Sequence, residues 1–361
     1  QSGCFCRNFT GLAHPECRVQ AAQALVKQKL DTMWWFACPT CEQRFTGEMS
    51  IVLANAWWSQ VHNRGEEDLE RLDAAMNLAI SLSDQGKHAE AEKIEHEVLA
   101  VRKRVLGAVH HDTLIAANNL ANSLFGQGKH AEAEVIEREV LAVRKRVLGE
   151  EHPETLTTTG NLASSLSRQG KHAEAEKMHR EVLAAVKRVL GAEHPDTLAT
   201  ANLLATTLCA QGKHAEAEEI RREVLPVEKR VLGPEHPDTL TTACNLAISL
   251  SDQGKHTEAD EIQCEVLAVR KRVLGAEHPT TLTASSNMAC SLFRQGKHKE
   301  AEKMQREVLA VRKRVLGAEH RNTLSSAINL ACYLSKQGKH KEAEEMKREV
   351  LAVRKRVRHC L

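Results

Sequence analysis

The sequence predicts an all-α solenoid, seven helix-turn-helix repeats in tandem behind a small N-terminal zinc-binding module. Three observations carry that prediction. The tetrapeptide Gln-Gly-Lys-His begins at Gln85, Gln127, Gln169, Gln211, Gln253, Gln295 and Gln337, always 42 residues after the last copy. Each copy is flanked by apolar residues at helical spacing. All four tryptophans (Trp34, Trp35, Trp57, Trp58) precede the first copy, which sets the N-terminal segment apart. The expected organisation is a module over 1–45, a linker helix over 46–65, the repeats over 66–358 and a tail over 359–361.

Bulk properties narrow the function. Hydrophobic residues make up 42% of the chain and charged residues 27%, ordinary values for a globular protein. A net charge of +2 argues against a nucleic-acid surface. No apolar run approaches the ~20 residues that span a bilayer, so no membrane partner is expected. Residues 1–30 also lack the apolar stretch of a signal peptide. The first residue is Gln1, so the chain is expected to be a fragment or a processed product. Cys209, Cys244, Cys264, Cys290 and Cys332 stand at non-equivalent or small-residue positions of the repeats and read as reduced packing thiols of a cytoplasmic protein.

In chain order, the module comes first. It holds Cys4-x-Cys6, His14-x-x-Cys17 and Cys38-x-x-Cys41. Paired nitrogen and sulfur ligands on short chelating loops suit tetrahedral zinc, with Trp34, Trp35, Phe36 and Phe45 available as a small apolar core. Phe45 to Val61 then reads as a short helix, Trp57 and Trp58 packing against the first repeat.

The copy from His152 to Gly191 stands for the repeats. Pro153 suits the first turn of a helix, where a missing N–H is not needed. Leu156, Leu162, Ala163 and Leu166 continue that helix to about Gln169, and Gly170 stops it. A second helix runs from about His172 to Leu190 on the stripe Ala175, Met178, Val182, Leu183, Val186 and Val189. Ordering each residue costs about 1–2 kcal/mol of backbone entropy, and burying one apolar side chain returns roughly 1.5–3 kcal/mol. One repeat alone therefore cannot fold, and stacking supplies the missing burial. Acidic residues open the second helix (Glu132, Glu134) and basic ones close it (Arg144, Lys145, Arg146), a pattern that reads as macrodipole matching and solvated pairs.

Asn-Leu-Ala in the first helix, Gly-Lys-His-x-Glu-Ala at the turn and Leu-Gly-Ala-Glu-His-Pro-Asp-Thr-Leu in the connector resemble the tetratricopeptide repeats of kinesin light chains. The resemblance implies a right-handed solenoid whose first helices line a concave groove for a protein or peptide partner. It also implies that the asparagine before Leu-Ala holds peptide main chain, a ladder of Asn77, Asn119, Asn161, Asn245, Asn287 and Asn329 that Leu203 interrupts. The same asparagines could instead bridge adjacent helices. Asn122, Ser164, Asn202 and Thr206 are expected beside the ladder, and so are Asn118, Thr157 and Ser286. The repeats hold no catalytic set, and the periodic histidines read as turn and capping residues.

The N-terminal spacing resembles the RING-CH variant of the RING finger, with His14 eight residues after Cys6. That likeness implies one complete zinc site from Cys4, Cys6, Cys38 and Cys41, and half of a second from His14 and Cys17. It places the missing first Cys-x-x-Cys upstream of Gln1. Asn8 stands at the usual glycine position, which asparagine tolerates, and Ala21 where tryptophan is typical. The likeness implies that the absent first pair and that tryptophan are what recruit a ubiquitin-conjugating enzyme. Two functions follow: a non-enzymatic interaction scaffold, or a RING-CH-type ubiquitin ligase whose repeats select substrate.

Overall fold

Each Gln-Gly-Lys-His ends one helix and begins the next. The structure, a computed structural model, describes residues 15–29, 32–38, 44–45 and 47–359. Helices α1 (Pro15–Lys29) and α2 (Gly47–Val61) come first, separated by a 3-10 turn at Thr32–Trp35. The first helices of the repeats are α3 (Leu69–Asp84), α5 (His111–Gln127), α7 (Pro153–Arg168), α9 (Pro195–Ala210), α11 (Pro237–Asp252), α13 (Pro279–Arg294) and α15 (Arg321–Lys336). The second helices are α4 (His88–Val105), α6 (His130–Leu148), α8 (His172–Leu190), α10 (His214–Val231), α12 (His256–Leu274), α14 (His298–Leu316) and α16 (His340–His359). Among the described residues no helix is long and apolar enough to cross a membrane.

Local chemistry sets the boundaries. Nδ1 of His152 accepts the N–H of Glu154 at 3.3 Å, and His194, His236 and His320 cap the first helices of their repeats in the same way. An accepting Nδ1 means a neutral ring protonated on Nε2. The connector histidines are thus caps, as their periodicity suggests. Gly170 takes φ of 84°, and Lys171 N–H reaches back to the Leu166 carbonyl at 3.0 Å, which closes α7.

The chain divides into two compact units, residues 1–185 and 186–361. In the first unit α3, α5 and α7 contact one another in turn, and in the second unit α9, α11, α13 and α15 do so. Successive second helices stand farther apart and are linked by long side chains, as where Arg222 of α10 donates to Glu258 of α12 at 2.6 Å, so the first helices form the tighter layer of each unit. Leucines fill the interior: Leu120, Leu124, Leu162 and Leu166 are fully buried in one unit, and Leu204, Leu208, Leu250, Leu330 and Leu334 in the other.

Polar side chains tie one repeat to the next. Glu134 on α6 accepts from Gln169 Nε2 and Lys171 Nζ, each at 2.7 Å, and both donors belong to the following repeat's Gln-Gly-Lys-His. Gln169 Nε2 also donates to the His130 carbonyl at the start of α6, at 3.1 Å. Glu92 takes the same grip on Gln127 and Lys129, and in the second unit Glu218 holds Gln253 and Lys255. Asp260 with Gln295 and Glu302 with Lys339 continue the series. The tetrapeptide is therefore an inter-repeat latch as well as a turn.

The expectation of solvated arginine pairs needs correcting. Arg144 is 3% exposed. Its guanidinium donates to the Glu154 carbonyl at 3.1 Å and to Thr158 Oγ1 at 2.7 Å, both on the next first helix. Arg102, Arg270 and Arg312 reach the equivalent carbonyls of Asp112, Thr280 and Asn322. The arginine lies on the same face as the apolar stripe, and only its long stem and forked head let it satisfy a neighbour's first turn.

The Lys171 hydrogen bond, with those from Gln169 and Arg138, holds the Glu134 carboxyl down at about 2. A depressed carboxyl stabilises the fold above its unfolded value near 4.5, and that contribution is lost as pH falls toward 2. Glu134→Ala is expected to lower stability by about 1–3 kcal/mol at pH 7. Urea unfolding should show the difference between wild type and variant shrinking toward zero at pH 2–3. A difference that persists there would mean the carboxylate is not the source.

Candidate peptide-binding face

The predicted ladder asparagines share one side of the first helices, yet their amides differ in what they touch. Asn77 is buried. Asn119 Nδ2 donates to Met76 Sδ at 3.3 Å, and Asn161 Nδ2 donates to Asn122 Oδ1 at 3.3 Å, so both bridge adjacent first helices. Asn245, Asn287 and Asn329 are half-buried, and their side-chain amides have no partner among the described residues. Leu203, which interrupts the ladder, is 42% exposed.

The flanking residues are partly spoken for. Asn202 Nδ2 donates to Thr242 Oγ1 at 2.7 Å and to Glu228 Oε1 at 3.0 Å. Thr206 Oγ1 donates to the Asn202 carbonyl, and Ser164 Oγ to the Gly160 carbonyl, each one turn back along its own helix. Asn122 and Thr157 are exposed and Asn118 half-buried. Ser286 is buried and donates to Gln305 Oε1 at 3.1 Å, so it lies beneath the face rather than on it.

Of the predicted zinc ligands, Cys4, Cys6, His14 and Cys41 lie outside the described residues. Cys17 is exposed on α1. Cys38 is fully buried in a cluster with Trp34, Trp35, Phe45 and Trp57, where the rings of Trp35 and Trp57 stack 6.3 Å apart. Ala37 and Arg44 pair across an antiparallel bridge, and Phe45 N–H donates to the Phe36 carbonyl at 2.9 Å. The chain thus leaves at Cys38 and returns beside its starting point at Arg44.

A family model of the tetratricopeptide repeat matches this chain in overlapping windows over residues 70–146, 116–188, 154–226, 196–272, 242–314 and 280–356. The chain belongs to the tetratricopeptide repeat family. Among solved structures, it is similar to nearly identical TPR-like repeats of a putative kinesin light chain from Podosopora anserina. That match has 29% identity, covers 58% of this chain and 98% of the other, and has a TM-score of 0.49. A tetratricopeptide repeat protein from Parabacteroides merdae matches at 15% identity over 80% of this chain and 94% of its own, with a TM-score of 0.52. Aspartyl phosphate phosphatase F from Bacillus subtilis matches at 12% identity over 95% of this chain and 85% of its own, with a TM-score of 0.60. At those identities the last two share the fold alone. No curated protein sequence matches the chain.

Beneath the first helices of this tetratricopeptide array runs a polar layer that sequence reasoning missed. One position of the second helix, 42 residues apart, holds Glu95, Glu137 and His179 in the first unit and Arg221, Gln263 and Gln305 in the second, all buried. Its signal was present: the position lies four residues after the buried alanine of that helix, as Glu137 does after Ala133, and yet it is polar in every copy. Gln305 Nε2 donates to the Ser326 carbonyl at 3.1 Å. Arg221 donates to the Asn245 carbonyl at 3.1 Å, Thr206 Oγ1 at 3.2 Å and Cys209 Sγ at 3.2 Å, and also to Ser249 Oγ. The layer therefore places chemistry that differs between repeats directly under the candidate binding face.

Burial is the main force on the ionisable members. It pushes the Glu137 carboxyl up to about 7, helped by the nearby Glu134 charge. Ser165 lies close but outside hydrogen-bond geometry and offsets this only in part. Glu95 beside Ser123 is raised to about 7 for the same reason, and burial lowers His179 to about 4. Between pH 4.5 and 7 a Glu137 that keeps its proton only in the folded state makes stability fall as pH rises. Glu137→Gln, the residue the chain itself uses at Gln263 and Gln305, removes that slope. The variant is expected to match wild type near pH 4 and to exceed it by about 1–3 kcal/mol at pH 7.5, measured by urea unfolding. An equal difference at both pH values would show that the proton is not involved.

Proposed function

We propose that the repeat array is an interaction scaffold that holds an extended peptide along its first helices. The observation that carries this reading is the set of unpartnered, half-buried amides of Asn245, Asn287 and Asn329 on successive first helices of the second unit. Packed helices stand roughly 8–10 Å apart. An extended chain advances about 3.3 Å per residue, so one asparagine meets about every third peptide unit. Each amide can donate to a peptide carbonyl and accept from a peptide N–H. Main-chain recognition of this kind fits the small and polar side chains around the ladder, and exposed Leu203 adds an apolar step.

The test uses a peptide selected on the full chain from a random displayed library. The triple variant Asn245→Ala, Asn287→Ala and Asn329→Ala is expected to weaken its binding roughly 10- to 100-fold, about 1 kcal/mol per lost hydrogen bond. Its helical circular dichroism should stay unchanged. Unaltered affinity would defeat the ladder.

A second reading concerns the N-terminal module. Buried Cys38, set in an aromatic cluster where the chain doubles back, favours a zinc site from Cys4, Cys6, Cys38 and Cys41, with His14 and Cys17 as part of another. Such a module is the recruiting half of a RING-CH-type ubiquitin ligase, with the repeats choosing substrate. Mass spectrometry of the intact chain is expected to find about one zinc, lost in Cys38→Ser. A metal-free chain would end both the zinc and the ligase reading. Bound zinc without ubiquitin transfer, in the presence of conjugating enzymes, would leave the scaffold alone.

A further inference from the structure

The first repeat differs from its sisters on the side of α3 opposite Asn77. There Trp58 of α2, Leu72 and Ala75 of α3, and Ile94, Val98 and Val101 of α4 enclose a cavity of about 460 Å³. The fifth repeat has the equivalent cavity, lined by Leu240, Ala243, Ile262, Val266 and Val269, but its volume is about 150 Å³. The apolar walls are the same residue types at the same register, so the threefold difference comes from the edges.

Among the substitutions at those edges, three stand out. Thr239 Oγ1 donates to the Gly233 carbonyl at 2.9 Å and draws its connector down, whereas Arg71 stands at that position in the first repeat. Arg71 instead extends over the Trp58 ring, 5.8 Å from its centre. Leu232, at the connector of the fifth repeat, is replaced by Arg64, which turns away to Glu70. Lys229 of α10 is replaced by Val61 of α2.

The last change has an electrostatic consequence. In the fifth repeat Lys229 pairs with Glu265 at 3.7 Å, and Leu225, one turn before Lys229 on α10, lines the cavity. The first-repeat counterpart of Glu265 is Glu97, exposed and without an ion pair among the described residues. Glu66, also at the mouth, is exposed and unpaired as well. The cavity therefore has apolar walls and two unpaired carboxylates at its rim, with Arg71 lying over Trp58, and α2 puts Trp57 and Val61, neither of them a cation, where the sister has Leu225 and Lys229.

We propose that this cavity is a docking site for an amphipathic helix of a partner protein, one that presents an aliphatic side chain with a lysine or arginine four residues further on. The aliphatic group fills the space against Trp58, Leu72 and Val98, and the cation pairs with Glu97 and Glu66. Lys229 and Glu265 give the precedent within the chain for such a cation on this carboxylate, and the site uses a different side of the repeat from the asparagine ladder. Charge complementarity and an internal precedent argue for that occupant over an acidic one.

The probe is a fluorescein-labelled, amidated peptide of residues 306–317, which carries Leu309 and Lys313 at the Leu225 and Lys229 register. Anisotropy with the intact chain is expected to show saturable one-to-one binding. Lys313→Glu in the peptide should weaken it at least tenfold, and Glu97→Lys in the protein should restore affinity for that altered peptide. Ala75→Leu, which fills the cavity, should abolish binding of the original peptide, and the triple asparagine variant should leave it unchanged. Circular dichroism confirms that each protein variant is folded, and Glu97 is exposed, so its replacement disturbs no core. Absence of saturation with the original peptide overturns the proposal. So does affinity indifferent to Lys313→Glu, or a Glu97→Lys protein that fails to rescue.

Discussion

One carboxylate gripping two donors from the next repeat sets the register of everything else. Apolar contact between helices is strong but non-directional, and leucine and alanine faces of similar shape can slide past one another. Glu134, nearly enclosed and bonded to both Gln169 and Lys171, has a single low-energy position. Shifting α7 by one turn would strand the carboxylate and the glutamine amide together. The same geometry recurs at Glu92 and at Glu218, so each unit repeats one relation between neighbours rather than building separate ones. The arginines at Arg102, Arg144, Arg270 and Arg312 add a second fixed point, on the first turn of the following helix.

Constancy at the latch sets off the variation beneath the first helices. The position of Glu95 and Glu137 becomes His179, then Arg221, then Gln263 and Gln305, although its burial hardly changes. A glutamine there costs least, since it can both donate and accept within the scaffold, as Gln305 does with Ser286 and Ser326. A buried carboxyl or guanidinium is harder to keep, and an ion that lacks a partner lowers stability. Arg221 has no carboxylate within ion-pair distance among the described residues, and it is held by carbonyl, hydroxyl and thiol groups instead. The variation thus falls where it costs the scaffold most, beneath the candidate face, while the latch stays constant.

Most of the fold was legible because its causes are local. Proline at the first helical position, glycine past the last and apolar residues at helical spacing act within a few residues, and the helices begin and end where those signals stand. The structure differs where a cause acts between repeats. Arg144 reads as a solvated helix-end charge from its neighbours in sequence, because its acceptors, Glu154 and Thr158, belong to the next repeat. Glu134 reads as a macrodipole residue for the same reason. Ser286 looked like a groove residue, and only the position of Gln305 on the following helix makes it a buried acceptor's partner. The candidate face was legible by position but not by occupancy: register alone cannot tell that Asn119 spends its amide on Met76 while the amide of Asn245 has no partner.

The start of an array poses a problem that its interior does not. Within each unit a first helix such as α5 or α11 receives the apolar face of the second helix before it, and α3 must receive something equivalent or expose Leu72 and Ala75. Here α2 takes that place, with Trp57 and Trp58 where later second helices have Leu99 and Ala100 or Leu225 and Pro226. Aromatic rings cover area well, but they bring no cation, and Val61 completes α2 without one. The acidic residue on α4 has not changed to match. Glu97 keeps the charge that Glu265 uses to pair with Lys229, a lysine that the first repeat does not provide. A structural cap would gain by losing that charge or pairing it, and it does neither. The mismatch lies beside the larger of the two equivalent cavities, so the cap that closes the array leaves one face shaped, and charged, for a helix from outside.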